Sequence, residues 1–153
     1  MMNNVGSNSA PMYLLDTNIL VYAADQESLF HQETRSFRDE AVHGRVSACV
    51  SPTVLKEFYA IVTDSKRVRN PLSPANALQE VQAYRQALKV IYPSSAAMDR
   101  LKELIDRYPV KGQEIFDVFL VATMLEHGVG TIYTANVRHF EKFKEIRVKS
   151  PGK

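Results

Sequence analysis

The stretch Met12-Tyr13-Leu14-Leu15-Asp16-Thr17-Asn18-Ile19-Leu20-Val21-Tyr22 places an acid between two apolar runs. The first run predicts a buried strand, and the second predicts a buried helix that begins near Asn18. Asp16 therefore follows the carboxyl end of a strand, which is where ligands bind in open parallel sheets. Because an unpaired carboxylate is costly to bury, we expect Asp16 to bind a partner at this position.

Two further acids lie in similarly apolar surroundings. Glu57 lies in Val54-Leu55-Lys56-Glu57-Phe58, and Asp117 lies in Ile115-Phe116-Asp117-Val118-Phe119. Each acid has a simpler structural explanation. Asp16 suits a helix N-cap, Glu57 suits a solvated helix surface, and Asp117 in a first helical turn interacts favourably with the helix dipole. The functional interpretation therefore depends on the three acids taken together.

Three carboxylates at one edge of a sheet need a shared cation or shared protons. Two carboxylates about 4 Å apart repel each other by roughly 4 kcal/mol at an effective dielectric constant near 20. No His or Cys cluster in the sequence has the spacing of a zinc site, so the candidate metal ligands are all oxygen atoms. Oxygen ligands favour a hard cation, Mg²⁺ or Mn²⁺, and such sites hydrolyse phosphodiesters by activating water. The candidate catalytic and metal-binding residues are Asp16, Glu57 and Asp117.

The bulk composition limits the class of protein. The chain has 153 residues, of which 45% are hydrophobic and 24% charged, as expected for one globular domain. A net charge of +2 permits a nucleic-acid partner without arguing for one. The single cysteine, Cys49, fits a reducing cytoplasm. No apolar stretch approaches the roughly 20 residues of a membrane span. We predict a disordered extension over residues 1–11, which lacks the pattern of a signal peptide, and one domain over residues 12–150.

Predicted strands alternate with predicted helices along the chain. The strands are predicted at 13–15, 45–50, 90–92, 131–134 and 146–148, and the helices at 18 onward, 29–42, 52–66, 74–88, 95–108, 114–127 and near Phe140. This alternation predicts an α/β fold, with a central parallel sheet covered on both faces by helices. The carboxyl ends of parallel strands meet at one edge, so Asp16, Glu57, Asp117 and Asn136 are expected there.

Four segments resemble the motifs of PIN-domain ribonucleases in order and approximate spacing. They are residues 14–20, 51–58, 117–124 and 134–136, and the resemblance covers residues 12–148. Within that family the chain looks most like the VapC-type toxins of bacterial toxin–antitoxin pairs. The resemblance implies a Mg²⁺-dependent RNA endonuclease with a three-layer α/β/α sandwich of Rossmann-like topology. It also implies a homodimer, an antitoxin protein that blocks the site, and metal-binding acids at Asp16, Glu57 and Asp117.

The chain departs from the family pattern at one point. Many PIN domains carry a fourth acid at the position of Asn136 or at that of His139, and neither residue is acidic here. Asn136 still offers a carbonyl oxygen, and His139 is either a phosphate contact or a plain surface histidine. The number of metal ions, one or two, therefore stays open. The departure also supports an alternative function, a catalytically weak or inactive PIN-like domain that binds RNA or a protein.

Polar and basic residues near the acids are candidates for supporting roles. We expect Thr17, Asn18 and Thr134 to orient Asp16 and a water molecule, together with Asn136. Phosphate contacts supply most nucleic-acid affinity, and the candidates for them form two basic clusters. The cluster near the end is better placed to guide RNA, although solvated surface charges would explain both. The clusters consist of Lys66, Arg67 and Arg69, and of Arg138, Lys142, Lys144, Arg147 and Lys149, with His139 beside the second.

Two enzyme classes that also place an acid after the first strand fit less well. A phosphatase of the haloacid-dehalogenase type requires a second Asp two residues after the first, where this chain has Asn18. A response-regulator receiver requires paired acids near its start and a late Lys after a strand, and neither is evident. The nuclease and the non-cutting PIN-like domain therefore remain as the two hypotheses.

Overall fold

The computed structural model describes residues 10–152 of the chain. Most of the extension predicted over residues 1–11 therefore lies outside the described residues. Within the described part, five strands and seven helices alternate. The strands are β1 (Tyr13–Leu15), β2 (Ala48–Val50), β3 (Lys89–Val90), β4 (Thr131–Tyr133) and β5 (Arg147–Lys149). The helices are α1 (Thr17–Ala24), α2 (His31–Val42), α3 (Pro52–Val62), α4 (Pro74–Ala87), α5 (Ser95–Arg107), α6 (Glu114–Glu126) and α7 (Val137–Phe140).

The strands form one parallel sheet in the order β3-β2-β1-β4-β5. The first strand is central, with Tyr13 paired to Ala48 of β2 on one side and to Thr131 of β4 on the other. Because every strand runs in the same direction, all five carboxyl ends lie at one edge of the sheet. The predicted α/β fold with a central parallel sheet is confirmed.

Two hydrophobic cores cover the two faces of the sheet. Leu14 packs on one face with residues of α5 and α6, such as Leu104 and Val121. Leu15 packs on the opposite face with residues of α1 and α3, such as Ile19 and Phe58. Burial of a strand on both faces is typical of parallel sheets and explains why the first strand is a continuous apolar run. The layers are therefore helices, sheet and helices.

Side-chain caps begin several of the helices. Ser51 is the N-cap of α3, where its hydroxyl accepts a hydrogen bond from the Val54 N–H at 3.2 Å, and Pro52 follows at the first helical position. Ser73 caps α4 in the same way, again with a proline next. The predicted start of α3 at residue 52 is confirmed, and it places Glu57 in the second turn of that helix.

Two predicted boundaries were wrong because local turns compete with the regular elements. The strand predicted from residue 45 begins only at Ala48, because the N–H groups of Arg45 and Val46 donate to the Glu40 carbonyl and extend the end of α2. The helix predicted to continue to residue 66 ends at Val62, because the N–H of Arg67 donates to the Asp64 carbonyl in a separate turn.

The sequence spacing of Met98, Leu101 and Leu104 predicts that all three face the core, and Met98 does not. Met98 of α5 has 57% of its surface exposed, whereas Ala97, Leu101 and Leu104 are buried. Spacings of four and three residues place these three on one helix face, and Met98 lies one position beside it. None of the helices between residues 10 and 152 has the length and apolar character needed to span a bilayer.

We expect the Ser51 cap to contribute measurably to stability. The change Ser51→Ala removes the acceptor for the Val54 N–H, and the free energy of unfolding should fall by about 1 kcal/mol. Urea denaturation followed by circular dichroism measures this loss. Ser95→Ala is the control, because Ser95 is the first residue of α5 and its cap is Ser94. An equal effect of the two changes would contradict the assignment of Ser51 as a stabilising cap.

Candidate active site

A cavity of about 440 Å³ lies at the carboxyl edge of the sheet, and the three predicted acids line it. Asp16 reaches it from the end of β1, Glu57 from the second turn of α3, and Asp117 from the first turn of α6. These acids are separated by 41 and 60 residues in the sequence. Their common cavity results from the tertiary packing, which brings the end of β1 and the starts of α3 and α6 to one edge of the sheet.

Asp16 is buried, and its carboxylate accepts three hydrogen bonds. Its backbone N–H donates to the Tyr133 carbonyl at 3.0 Å, which joins the end of β1 to the end of β4. Its Oδ1 accepts the Thr17 N–H at 2.8 Å, so the carboxylate caps α1. Its Oδ2 accepts the Thr134 hydroxyl at 2.7 Å and the Asn18 side-chain amide at 3.2 Å. Asp16 is therefore held in one orientation.

The pKa of the Asp16 carboxyl reflects opposing influences. Burial raises the pKa above its ordinary value, because a desolvated charge is unfavourable. The hydrogen bonds from Thr134, Thr17 and Asn18 act in the opposite direction, and the charge of Asp117 raises the pKa further. The net effect is that the pKa of Asp16 is raised above its ordinary value. A positive charge in the cavity would therefore stabilise ionised Asp16.

A small polar network supports Asp16 from the loop after β4. The Asn18 side chain also accepts the Ala135 N–H at 2.9 Å through Oδ1, and its amide donates to Thr134 Oγ1 at 3.3 Å. The Asn136 N–H donates to the same Thr134 oxygen at 3.0 Å. Asn18, Thr134 and Asn136 thus connect α1 to this loop. Thr17 and Asn136 take part through their backbone N–H groups, whereas Asn18 and Thr134 take part through their side chains.

Glu57 is more exposed than Asp16 but shares its electrostatic environment. Desolvation raises the pKa of the Glu57 carboxyl, and the charges of Asp16 and Asp117 raise it further. The three carboxylates are therefore close enough to repel one another. This is the electrostatic signature expected of acids that share a cation.

Asp117 is half-buried and in contact with a histidine. Its Oδ2 lies 2.9 Å from Nδ1 of His139, which follows β4 in the short helix α7. Because an ionised carboxylate can only accept, Nδ1 of His139 carries the proton when Asp117 is ionised. The histidine therefore holds Asp117 from outside the cavity, since His139 is not among the residues that line it.

The acids do not form a ready-made metal site. Between residues 10 and 152, no group of three or more His, Cys, Asp or Glu side chains is close enough to hold an ion as the side chains stand. The donor chemistry nevertheless fits a hard divalent cation, because the ligands are carboxylate oxygens whose charges repel one another. Glu57 is exposed and Asp117 half-buried, so both side chains have room to turn toward Asp16.

Three of the residues predicted to contact RNA near the end of the chain lie beside the acidic cavity rather than in it. Arg138, His139 and Lys142 line a separate cavity of about 80 Å³, which Asp117 and Glu114 also border. Lys142 Nζ lies 3.7 Å from a carboxylate oxygen of Glu114. Asp117 thus lies at the boundary between the acidic cavity and this basic cluster.

Two further residues line the cavity: Arg67, which the sequence named only as one of a basic cluster, and Phe116, to which it gave no role. Arg67 lines it from the loop after α3, whereas its neighbour in the same basic cluster, Arg69, pairs with Glu27 at 2.8 Å. Phe116 also lines it, with 69% of its surface exposed. Composition marked the loop as basic but did not show which cation faces the acids. The apolar pattern of α6 gave no sign that Phe116 would be exposed.

Known proteins resemble this chain in sequence over nearly its whole length. The family model described as "PIN domain" matches residues 13–146. Ribonuclease VapC24 of Mycobacterium tuberculosis is 28% identical over 141 residues, which cover 92% of this chain and 97% of the relative. Ribonuclease VapC48 of the same species is 25% identical over 138 residues, which cover 89% of this chain and 94% of the relative.

Solved structures share the fold at low sequence identity. VapBC2 from Rickettsia felis, bound to a DNA fragment from its promoter, superimposes with a TM-score of 0.64 at 18% identity over 91% of this chain and 98% of that one. Mycobacterium tuberculosis VapC20, described as a Sarcin-Ricin loop cleaving toxin, gives a TM-score of 0.61 at 15% identity over 88% of this chain and 98% of that one. With the family model matching nearly the whole domain, the chain belongs to the PIN-domain family.

Proposed function

We propose that this protein is a metal-dependent endoribonuclease that hydrolyses RNA phosphodiester bonds and is the toxin of a toxin–antitoxin pair. The observation that carries the proposal is the common cavity of Asp16, Glu57 and Asp117, in which desolvation and the charges of the other two acids raise the pKa of Glu57. The relatives VapC24 and VapC48, both named ribonucleases, support the reaction class.

The three acids would hold Mg²⁺ or Mn²⁺, with Asp16 as the fixed ligand and Glu57 and Asp117 as the mobile ones. When bound, such a cation lowers the pKa of a coordinated water and stabilises the leaving oxygen of a phosphodiester. Thr134 and Asn18 keep the Asp16 carboxylate in one orientation through their hydrogen bonds. Arg67 places a positive charge in the cavity, where it would attract an RNA phosphate.

The proposal also covers the partners of the protein and the compartment in which it acts. Solved neighbours include a toxin-antitoxin complex from Klebsiella pneumoniae, with a TM-score of 0.61. By analogy we propose that a cognate antitoxin protein covers the acidic cavity of this chain. We also propose that the chain acts as a homodimer in the cytoplasm, a reducing compartment that suits the single, buried Cys49. The proposed nuclease domain spans residues 12–150.

A second candidate function is a PIN-like domain that binds RNA or a protein without cutting. The observation in its favour is that Asn136 and His139 are not acidic, together with the lack of a ready-made metal site among residues 10–152. A pure binder should keep its RNA affinity when Asp16 is changed. It should also give no cleavage products with any divalent ion.

The first prediction concerns the fixed acid. Asp16→Asn should reduce RNA cleavage in Mg²⁺ or Mn²⁺ on the order of 100-fold or more, because the metal loses its buried ligand. EDTA should abolish cleavage by the unchanged protein. Gel analysis of a labelled RNA measures both effects. Asp99→Asn, an exposed acid of α5, is the control. Cleavage that persists in EDTA would rule out the metal mechanism.

The second prediction concerns the hydroxyl that positions Asp16. Thr134→Val removes the donor at 2.7 Å, and the Mg²⁺ concentration for half-maximal cleavage should rise about 10-fold or more. Thr134→Ser keeps the hydroxyl and should stay close to the unchanged protein. The measurement is a Mg²⁺ titration of the cleavage rate. If valine and serine behave alike, Thr134 does not act through its hydroxyl.

The third prediction concerns repulsion among the acids. In EDTA, Glu57→Gln should raise the melting temperature by about 1–2 °C, because one of three like charges is removed from a solvent-screened position. Mg²⁺ should raise the melting temperature of the unchanged protein more than that of the variant. Differential scanning calorimetry measures both shifts. Glu141→Gln, an exposed glutamate outside the cavity, should show neither effect. Equal responses of the two variants to Mg²⁺ would remove Glu57 from the metal site.

A further inference from the structure

Phe116 is an exposed aromatic side chain in the first turn of α6. It exposes 69% of its surface, and within the described residues neither hydrophobic core cluster includes it. The next residue in the chain is Asp117. The packing of the domain therefore leaves a large apolar ring in water directly beside a candidate metal ligand.

The ring lies where a nucleotide would enter the acidic cavity. Phe116 lines the same cavity as Asp16, Glu57 and Asp117. Arg67 lines it too, so a guanidinium that can bind phosphate and an apolar ring occur in one place. Aromatic rings that stack on bases, combined with cations that bind the backbone, are the usual features of proteins that bind single-stranded nucleic acids.

We propose that Phe116 stacks on an unpaired nucleobase of the RNA and so positions the adjacent phosphodiester over the three carboxylates. The proposal rests on the proposed function for its substrate and adds a specificity-determining residue to it. A base can reach an exposed ring only when it is outside a duplex, so Phe116 would favour cleavage next to unpaired nucleotides. Because every base has a π-face, the contact would select for accessibility more than for base identity.

A nucleobase suits this position better than a second protein copy. A second copy packed over Phe116 through the same surface would bring its own three carboxylates against these three, which is unfavourable, whereas the proposed antitoxin could supply a counter-charge. A base needs only the face of the ring. Stacking of this kind leaves Asp16, Glu57 and Asp117 available to a cation.

The absence of tryptophan from the sequence permits a direct test. Phe116→Trp introduces a single indole at the proposed stacking position. In the Asp16→Asn background, which keeps the RNA uncut, a single-stranded oligoribonucleotide should quench its fluorescence. An abasic oligomer of equal length and charge should not. Leu78→Trp is the matched control, because Leu78 is 52% exposed and lies outside the cavity. It should show no base-dependent quenching.

Kinetics of the metal-loaded protein provide an independent measurement. Phe116→Ala should raise the KM for single-stranded RNA about 10-fold, because one base stack is lost, and should leave kcat within a factor of about two. Phe116→Tyr keeps the ring and should retain the original KM. Circular dichroism of both variants checks that the fold is intact.

The outcomes separate this inference from the proposed function. If the unchanged protein cuts RNA but Phe116→Ala keeps its KM and the indole shows no base-dependent quenching, stacking is overturned and the nuclease function stands. If the protein cuts nothing with any divalent ion while base-dependent quenching persists, the nuclease function fails and stacking stands. Quenching that depends on protein concentration without RNA would overturn stacking in favour of self-association.

Discussion

The buried carboxylate of Asp16 is the constraint on which the rest of the site depends. It lies at the end of the central strand, where burial disfavours its charge, and the fold offsets this with donors from Thr17, Asn18 and Thr134. The same contacts cap α1 and connect it to the loop after β4. A backbone hydrogen bond from Asp16 to Tyr133 keeps the two strand ends together. One charged group thus joins the sheet, a helix and a loop at the carboxyl edge.

The other two acids differ from Asp16 in exposure. Glu57 and Asp117 lie on helices and are more exposed, and Asp117 is held from outside the cavity by His139 at 2.9 Å. In the proposed reaction one ligand is therefore preorganised, and two adjust when a cation binds. In such a site the ligands do not form a complete coordination shell before the metal binds. A cation would instead be attracted because it relieves the repulsion between the three like charges. Arg67 and Phe116 add a phosphate contact and an apolar surface at the same cavity.

Local sequence patterns predicted the architecture of the domain more completely than they predicted the residues of the site. The apolar runs and the alternation of strands and helices predicted the parallel sheet, because each depends on preferences that act over a few residues. Periodicity also predicted which face of a helix turns inward, but it was wrong for Met98, which lies one position beside the buried face. It also gave no sign that Phe116 is exposed, since an apolar residue in an apolar helix is ordinarily assigned to the core.

The sequence by itself determined the strand that runs into Asp16, the order of the helices and strands, and the oxygen-only chemistry of the candidate ligands. Only the tertiary structure decided which basic residues lie close to the three acids. It placed Arg67 in the acidic cavity, and Arg138 and Lys142 in a neighbouring one. The reason is physical. Caps, turns and periodicity act over a few residues, whereas the facing of side chains across a cavity depends on how elements far apart in the chain pack against each other.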